Sequence, residues 1–293
     1  MRIAKAAFPP WLLVRLNQLK ILVCVLVFLI AYVWYVRLWW YQLGIDWLET
    51  YYPAVHLMLS GQNPYGVTTL HNPFWALFPL APFVLLGDRA GSLAYLIFSI
   101  FTYGFVAYRL RARLIAWTAF MVSLPVLYAM GMQNIDTFVL WGYILPPPIG
   151  LFLVLMKPQM GIGISIYWAY LAWRQGGWKK LLVTFAPVSA AFALSFALFG
   201  NWLAETSENV VVSKWNASLW PWSIPLGLGL LYFAIRYNNE KAAISSSPML
   251  SPYLAAHSWS VALMGLLEAD LPMVLTSAGM WIFYAVAMML VGH

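Results

Sequence analysis

The chain has 293 residues, of which 63% are hydrophobic and only 9% are charged. Soluble domains carry roughly 25% charged residues, so this composition excludes an ordinary soluble enzyme or binding domain. The net charge of +7 comes from basic residues scattered between apolar runs, which indicates a multi-pass membrane protein in contact with membrane lipids and no nucleic-acid partner. The single cysteine, Cys24, lies in an apolar run and excludes a disulfide framework.

The N-terminal region predicts a first transmembrane helix. Residues 21–43 would extend about 34 Å as a helix, which exceeds the roughly 30 Å thickness of a bilayer core. Basic residues precede this run and no small-residue cleavage site follows it, so we expect a retained helix with a cytoplasmic N-terminus in the cell (inner) membrane. The Trp- and Tyr-rich end of the run then marks the outer interface, and residues 44–71 form an extracytoplasmic loop.

This loop contains two acidic residues and a predicted surface helix. Residues 47–60 place apolar and aromatic side chains loosely on one side, as in a helix that lies on the membrane, and the turn sequence after Gly61 ends it. Asp46 and Glu49 are three positions apart, so a helix would present both on one face. Either acid could be a solvated loop residue, or it could be a general base that accepts a proton from a sugar hydroxyl.

Nine further apolar segments predict an all-α transmembrane bundle of about eight to ten helices in a single integral domain, residues 1–293. The segments are approximately 72–88, 91–108, 113–130, 134–146, 148–173, 180–200, 222–238, 254–268 and 271–291. Five crossings between residues 72 and 173 would place Arg109, Arg111 and Arg113 outside, against the positive-inside rule. Either one segment is re-entrant, or a helix is miscounted, or these arginines face outward because they bind an anion.

Two basic residues lie within or near apolar segments and are candidates for binding a phosphate. Lys157 precedes Pro158 in an apolar run, and an intramembrane lysine normally faces a polar cavity. It could hold a phosphate, or it could pair with an acid such as Asp136. Arg37, near the end of the first helix, could bind a phosphate or extend to the interface. The sequence contains no motif with metal-ligand spacing, so no metal or other cofactor is predicted.

Five segments resemble, in the same order, the lipid-linked-sugar glycosyltransferases of the GT-C architecture. They are GIDWLETYYPAVHLMLSGQNPYG (44–66), HNPFWALFPLAPFVLL (71–86), GMQNID (131–136), LMKPQMGI (155–162) and SPYLAAHSW (251–259). The pattern is most similar to the polyprenol-phosphate-mannose-dependent mannosyltransferases (glycosyltransferase family 87). The sequence departs from that pattern at His71-Asn72-Pro73, where the family has Tyr-Pro-Pro, and by one residue in GMQNID. The resemblance implies a GT-C-like core over residues 1–200 and variable C-terminal helices over 201–293.

The resemblance also implies a reaction. A polyprenyl phosphate would donate a sugar to a hydroxyl of a lipid or glycan on the extracytoplasmic side, with inversion at the anomeric carbon. In the family that this sequence resembles, the sugar is mannose. Asp46 would be the catalytic base, and Glu49 is a second catalytic candidate. The candidate substrate-binding residues are Lys157, Arg37, Tyr52, Tyr65, His71, Gln133, Asn134 and His257.

Two other functions are compatible with the sequence. A lipid or solute transporter would use Lys157, Asp136 and broken helices along a path near the middle of the membrane. A non-catalytic subunit of a membrane-protein complex would explain the altered HNP and GMQN elements. The loss or retention of sugar transfer in an Asp46→Asn variant separates the enzyme from these alternatives.

Overall fold

The computed structural model describes residues 10–39, 43–203 and 215–291. Within these ranges the chain contains no strand, and the isolated bridge between Asn216 and Ala255 is its only strand-like pairing. The α-helices are α1 (Pro10–Trp39), α2 (Tyr52–Leu59), α3 (Ala81–Val84), α4 (Asp88–Arg109), α5 (Leu114–Met121), α6 (Leu124–Met132), α7 (Asp136–Gly142), α8 (Pro147–Val154), α9 (Pro158–Phe199), α10 (Ile224–Tyr237), α11 (Glu240–Ser246), α12 (Ser260–Leu263) and α13 (Asp270–Val291). The predicted all-α class is confirmed.

Long membrane-spanning helices are fewer in the described residues than the predicted eight to ten crossings. Three helices are long and apolar enough to cross a membrane, namely Gln18–Arg37 within α1, α4 and α9. A fourth span results if α5 and α6, which meet at an angle of 51°, are counted as one. Proline at the start of α6, α8 and α9 accounts for much of the difference, because it interrupts apolar runs that hydropathy alone joins together.

The predicted spans at 72–88 and 254–268 are wrong as single helices. The first consists of a 3₁₀ segment, Phe74–Leu80, followed by the one-turn helix α3. Its two ends remain close to the first loop, since Asn72 Oδ1 accepts a hydrogen bond from the hydroxyl of Tyr51, and Gly91, three residues after the segment, packs against Trp47. The second is divided among two 3₁₀ turns and the one-turn helix α12.

This correction changes where the three arginines lie relative to the first loop. Helix α4 now begins beside the first loop, where Ser92 donates a hydrogen bond to Gln133, and its 22 residues extend about 33 Å away from it. Arg109, Arg111 and Arg113 therefore lie at the opposite end of the bundle, where Arg113 pairs with Asp270 at 3.1 Å.

Helix α9 is a hairpin of two helices. A straight helix of 42 residues would be about 63 Å long, but Gly176 and Gly177 leave the helical conformation, with φ of +56° at Gly177. The ring of Phe199 packs against Tyr65 and Phe74 at 5.5 and 4.7 Å, so the chain returns to the first loop, where α9 also began. The Gly-Gly turn thus lies far from the first loop, and it falls between the predicted apolar segments 148–173 and 180–200.

The basic residues are concentrated at the end of the bundle that lies far from the first loop. Arg174, Lys179 and Lys180 flank the Gly-Gly turn of α9, and Lys241 pairs with Glu268 at 2.6 Å, two residues before Asp270. Together with Arg109, the last residue of α4, and with Arg111 and Arg113 just after it, these residues give the far end a positive charge. Near the first loop the acids Asp46, Glu49 and Asp88 are matched by Arg37, Arg89 and Lys157, so the described residues there have no comparable excess of positive charge.

Candidate functional site

Asp46 is positioned by a close contact between the first loop and the end of α6. Gly44 has φ of +70° and donates its N–H to the carbonyl of Gly131 at 2.7 Å. A β-carbon at Gly131 would lie 2.2 Å from the hydroxyl oxygen of Tyr35, so only glycine allows α1 to approach α6 this closely. Gln133 ends α6 in the left-handed conformation and directs Asn134 towards the loop. As a result, Asn134 Nδ2 donates to Asp46 Oδ2 at 2.5 Å.

A cavity of about 320 Å³ opens beside Asp46. Its volume falls within the range of roughly 300–1,000 Å³ that is typical of small-molecule sites. The cavity is lined by Asp46, Glu49, Thr50, Tyr51, Thr69, His71, Asn72, Tyr128, Asn134, Lys157, Gln159, Trp215, Tyr253 and His257, together with apolar residues. Asp46 is half-buried at this wall, whereas Glu49 and His71 are exposed.

Lys157 enters the cavity wall as part of a buried ion pair. Its Nζ donates to Asp136 Oδ1 at 2.5 Å and to Asn134 Oδ1 at 2.9 Å, with a longer contact of 3.3 Å to the hydroxyl of Ser258. Asp136 has no exposed surface and Lys157 is only 5% exposed, so each charge depends on the other. The predicted alternative in which Lys157 pairs with Asp136 is confirmed.

His257 completes the buried group from a distant part of the chain. Its Nδ1 lies 2.7 Å from Asp136 Oδ2, and the hydroxyl of Ser258 lies 3.3 Å from the same oxygen. His257 also contributes to the cavity wall, beside the ring of Tyr128 at 6.0 Å. Asp136 therefore joins a lysine and a histidine that both reach the cavity.

A second set of hydrogen bonds joins Tyr51 and Asn72, which also line the cavity. The hydroxyl of Tyr51 lies 3.3 Å from Asn134 Oδ1 and 3.2 Å from Asn72 Oδ1, and Asn72 Nδ2 donates to the carbonyl of Met156. Burial, followed by the charges of Asp46 and Asp136, raises the pKa of Tyr51 well above its usual value. Tyr51 therefore remains protonated and can act only as a neutral donor and acceptor at neutral pH.

The structure brings six of the ten predicted site residues together. Asp46, Glu49, His71, Asn134, Lys157 and His257 all line the cavity. These six come from all five of the segments on which the resemblance depends, and the fold places those segments around one space.

The other four predicted site residues lie outside the cavity lining. Arg37 is exposed on α1. Tyr52 packs its ring against His56 at 4.6 Å, and Tyr65 stacks on Trp202 at 5.3 Å while its hydroxyl donates to the carbonyl of Asn72. Gln133 is buried and accepts a hydrogen bond from Ser92. Tyr65 and Gln133 thus support residues that do line the cavity.

Several lining residues were not identified from the sequence. Tyr51 faces the cavity because Trp47–Tyr51 forms a π-helical turn, which aligns residues five apart and so brings Tyr51 to the side of Asp46. Tyr253 lies within the SPYLAAHSW segment, and the resemblance of that segment was the sequence signal that could have identified Tyr253 as a site residue. Burial, together with the charges of Asp46 and Asp136, raises the pKa of Tyr253, so its hydroxyl stays protonated and can donate to an anion.

Comparison with models of known protein families, with curated proteins and with solved structures gave no match to this chain.

Proposed function

We propose that this protein is a membrane glycosyltransferase that moves a sugar from a polyprenyl phosphate to a hydroxyl of a lipid or glycan. The observation that carries the proposal is the presence of a half-buried carboxylate, Asp46, and a buried ammonium, Lys157, in the wall of one cavity of suitable size. The resemblance described above favours mannose as the sugar.

The distribution of charge supports an extracytoplasmic site. Cytoplasmic ends of membrane proteins are enriched in Lys and Arg, and here the basic residues gather at the end of the bundle that lies far from the cavity. In the proposed orientation the N-terminus of α1 would lie in the cytoplasm. A donor whose sugar is carried on a lipid phosphate suits such a location, because the lipid delivers the sugar from within the bilayer.

In the proposed reaction Asp46 acts as general base. The acceptor hydroxyl oxygen forms a bond to the anomeric carbon, and the bond between that carbon and the phosphate oxygen breaks, with its electron pair remaining on the phosphate. Asp46 takes the hydroxyl proton as the attack proceeds, a contribution of roughly 10²- to 10⁴-fold. Attack from the face opposite the leaving phosphate inverts the configuration.

The departing phosphate needs positive charge and hydrogen-bond donors. His257, His71 and the hydroxyl of Tyr253 lie in the cavity wall and can supply donors. The three N–H groups of Lys157 already have partners, so we expect Lys157 to contribute its charge rather than a direct hydrogen bond. This differs from the direct contact with the phosphate that the sequence suggested.

A second, largely apolar cavity of about 420 Å³ offers space for the carrier's isoprenoid chain. It is lined by residues of α10, α11 and α12 and of the first turns of α13, with exposed Leu226 and Phe233 among them. Trp259 lines this cavity, and His257, two residues earlier in the same 3₁₀ turn, lines the polar one. An amphiphilic donor would place its head and its chain in these two neighbouring spaces.

An Asp46→Asn variant tests the proposal. In membranes supplied with a radiolabelled polyprenyl-phosphate sugar, we expect transfer by this variant to fall at least about 100-fold, because a neutral amide cannot accept the proton. Asp88→Asn is the matched control, since Asp88 is exposed at the start of α4, outside the cavity, and should retain full transfer. Thermal unfolding in detergent should be similar for both variants. Unchanged transfer by Asp46→Asn, or no transfer by the wild type, would show that the proposal is wrong.

A further inference from the structure

We infer that Asn134 is a positioning residue that aligns Asp46 for proton transfer, and that the buried Lys157–Asp136 pair fixes the orientation of its amide. The inference rests on the proposed function, in which Asp46 is the base. Its basis is one continuous series of contacts, from Asp46 Oδ2 through Asn134 to Lys157 Nζ at 2.5 and 2.9 Å.

The chemistry of the two neighbours determines which way the Asn134 amide points. A lysine ammonium can only donate hydrogen bonds, and an ionised carboxylate can only accept them. The amide oxygen must therefore face Lys157 and the amide nitrogen must face Asp46. The reversed amide would bring its oxygen against the carboxylate and its N–H groups against the ammonium, and would lose both bonds.

Lys157 is itself held in place, which makes it a fixed reference for the amide. An ammonium has three hydrogens, and three partners surround Nζ, namely Asp136, Asn134 and Ser258. Asp136 is fully buried and is bound on its other oxygen by His257, so neither end of the ion pair can rotate freely. Tyr51 adds a second donor near the oxygen of Asn134 at 3.3 Å.

The consequence for Asp46 is that its two oxygens differ. Oδ2 accepts the N–H of Asn134. In the part of the chain that the structure describes, no hydrogen bond occupies Oδ1, so this oxygen is available to an acceptor hydroxyl. Asn134 thereby sets the direction in which the reactive oxygen of Asp46 points.

The test is the pH dependence of kcat/KM for sugar transfer in an Asn134→Asp variant. This change preserves size and the acceptor for Lys157, but it replaces the N–H donor with a second carboxylate oxygen facing Asp46. Two carboxylates that share a site raise the pKa of one of them, so we expect the acidic limb of the profile to move upwards by at least about one pH unit. Activity at low pH should fall about tenfold or more and should recover partly at high pH. A purely structural defect would lower the profile without moving its midpoint.

The control is Asn63→Asp, the same substitution in the exposed turn after α2, where either residue can accept from the N–H of Tyr65. Its profile should coincide with that of the wild type. Should Asn134→Asp fail to fold, Asn134→Leu removes both hydrogen bonds at similar size, and we expect a lower kcat, an unchanged KM for the donor and a smaller upward shift of the same limb.

The outcomes separate the two proposals. If the wild type is active, Asp46→Asn is inactive and the Asn134 variants keep the wild-type midpoint, the role of Asn134 is overturned and the proposed function stands. If the wild type transfers no sugar, or Asp46→Asn remains active, both proposals fail.

Discussion

Asp46 and Asp136 are joined through the same asparagine and lysine, yet the structure gives them opposite environments. Asp46 is half-buried at a cavity wall, and its partner is a neutral amide. Asp136 is fully buried, and it is bound by a lysine and a histidine. A base must have an accessible oxygen and must be able to gain a proton, whereas a buried charge must keep its counter-charge. Burial and partner charge, rather than residue type, therefore divide the roles of the two aspartates.

The largest effect is expected when the buried ion pair of Asp136 is broken. Asp136→Asn leaves Lys157 as an uncompensated buried charge, and losing one partner of such a pair typically costs about 3–5 kcal/mol. We expect a marked decrease in the unfolding midpoint in detergent, in contrast to Asp46→Asn. Asp88→Asn provides the control, because Asp88 is exposed in the first turn of α4 and the loss of its charge there should change stability by no more than about 1 kcal/mol. Wild-type stability of Asp136→Asn would mean that the pair contributes little to the fold.

A smaller effect is expected from Gly131→Ala, which disturbs the contact that positions Asp46. The added methyl group would overlap the hydroxyl of Tyr35, and overpacking of this kind typically costs about 1–3 kcal/mol. Because the carbonyl of Gly131 also accepts the N–H of Gly44, we expect sugar transfer to decrease as well.

Gly279→Ala is the corresponding control in α13, since no heavy atom lies within 4 Å of the added carbon. It should leave transfer unchanged and should not lower the unfolding midpoint. Equal behaviour of the two glycine variants would contradict the importance of the close approach between α1 and α6.

The smallest effect concerns a third aspartate, Asp270, which pairs with Arg113 at the far end of the bundle. The side chain of Arg113 is 65% exposed, and exposed ion pairs contribute about 0–1 kcal/mol. We therefore expect Arg113→Gln to unfold within about 1 kcal/mol of the wild type and to transfer sugar normally. A loss of transfer would instead support an anion-binding role for the arginines, the alternative that the sequence left open.

Many residues of the candidate site could be predicted from local sequence, but the hydrogen bonds and ion pairs that connect them could not. The position of Asp46 after a long apolar run, and of Lys157 beside a proline, indicated polar groups facing a cavity. The partnership of Asp136 with His257 joins residues 121 positions apart, which no local pattern reveals. Tyr51 was missed for a different reason, because a π-helical turn changes which side chains share a face.

The sequence by itself determined that the chain is helical and apolar, and that acids follow the first helix while basic residues flank later ones. These properties depend on the composition and on the order of residues along the chain, so hydropathy and charge patterns reveal them directly. The tertiary structure alone decided that residues 72–88 do not cross the bundle and that Asn134 connects the base to a buried ion pair. A proline-containing apolar run can bury its side chains equally well as a membrane-spanning helix or as a turn packed against the protein. Contacts with distant residues therefore decide between the two.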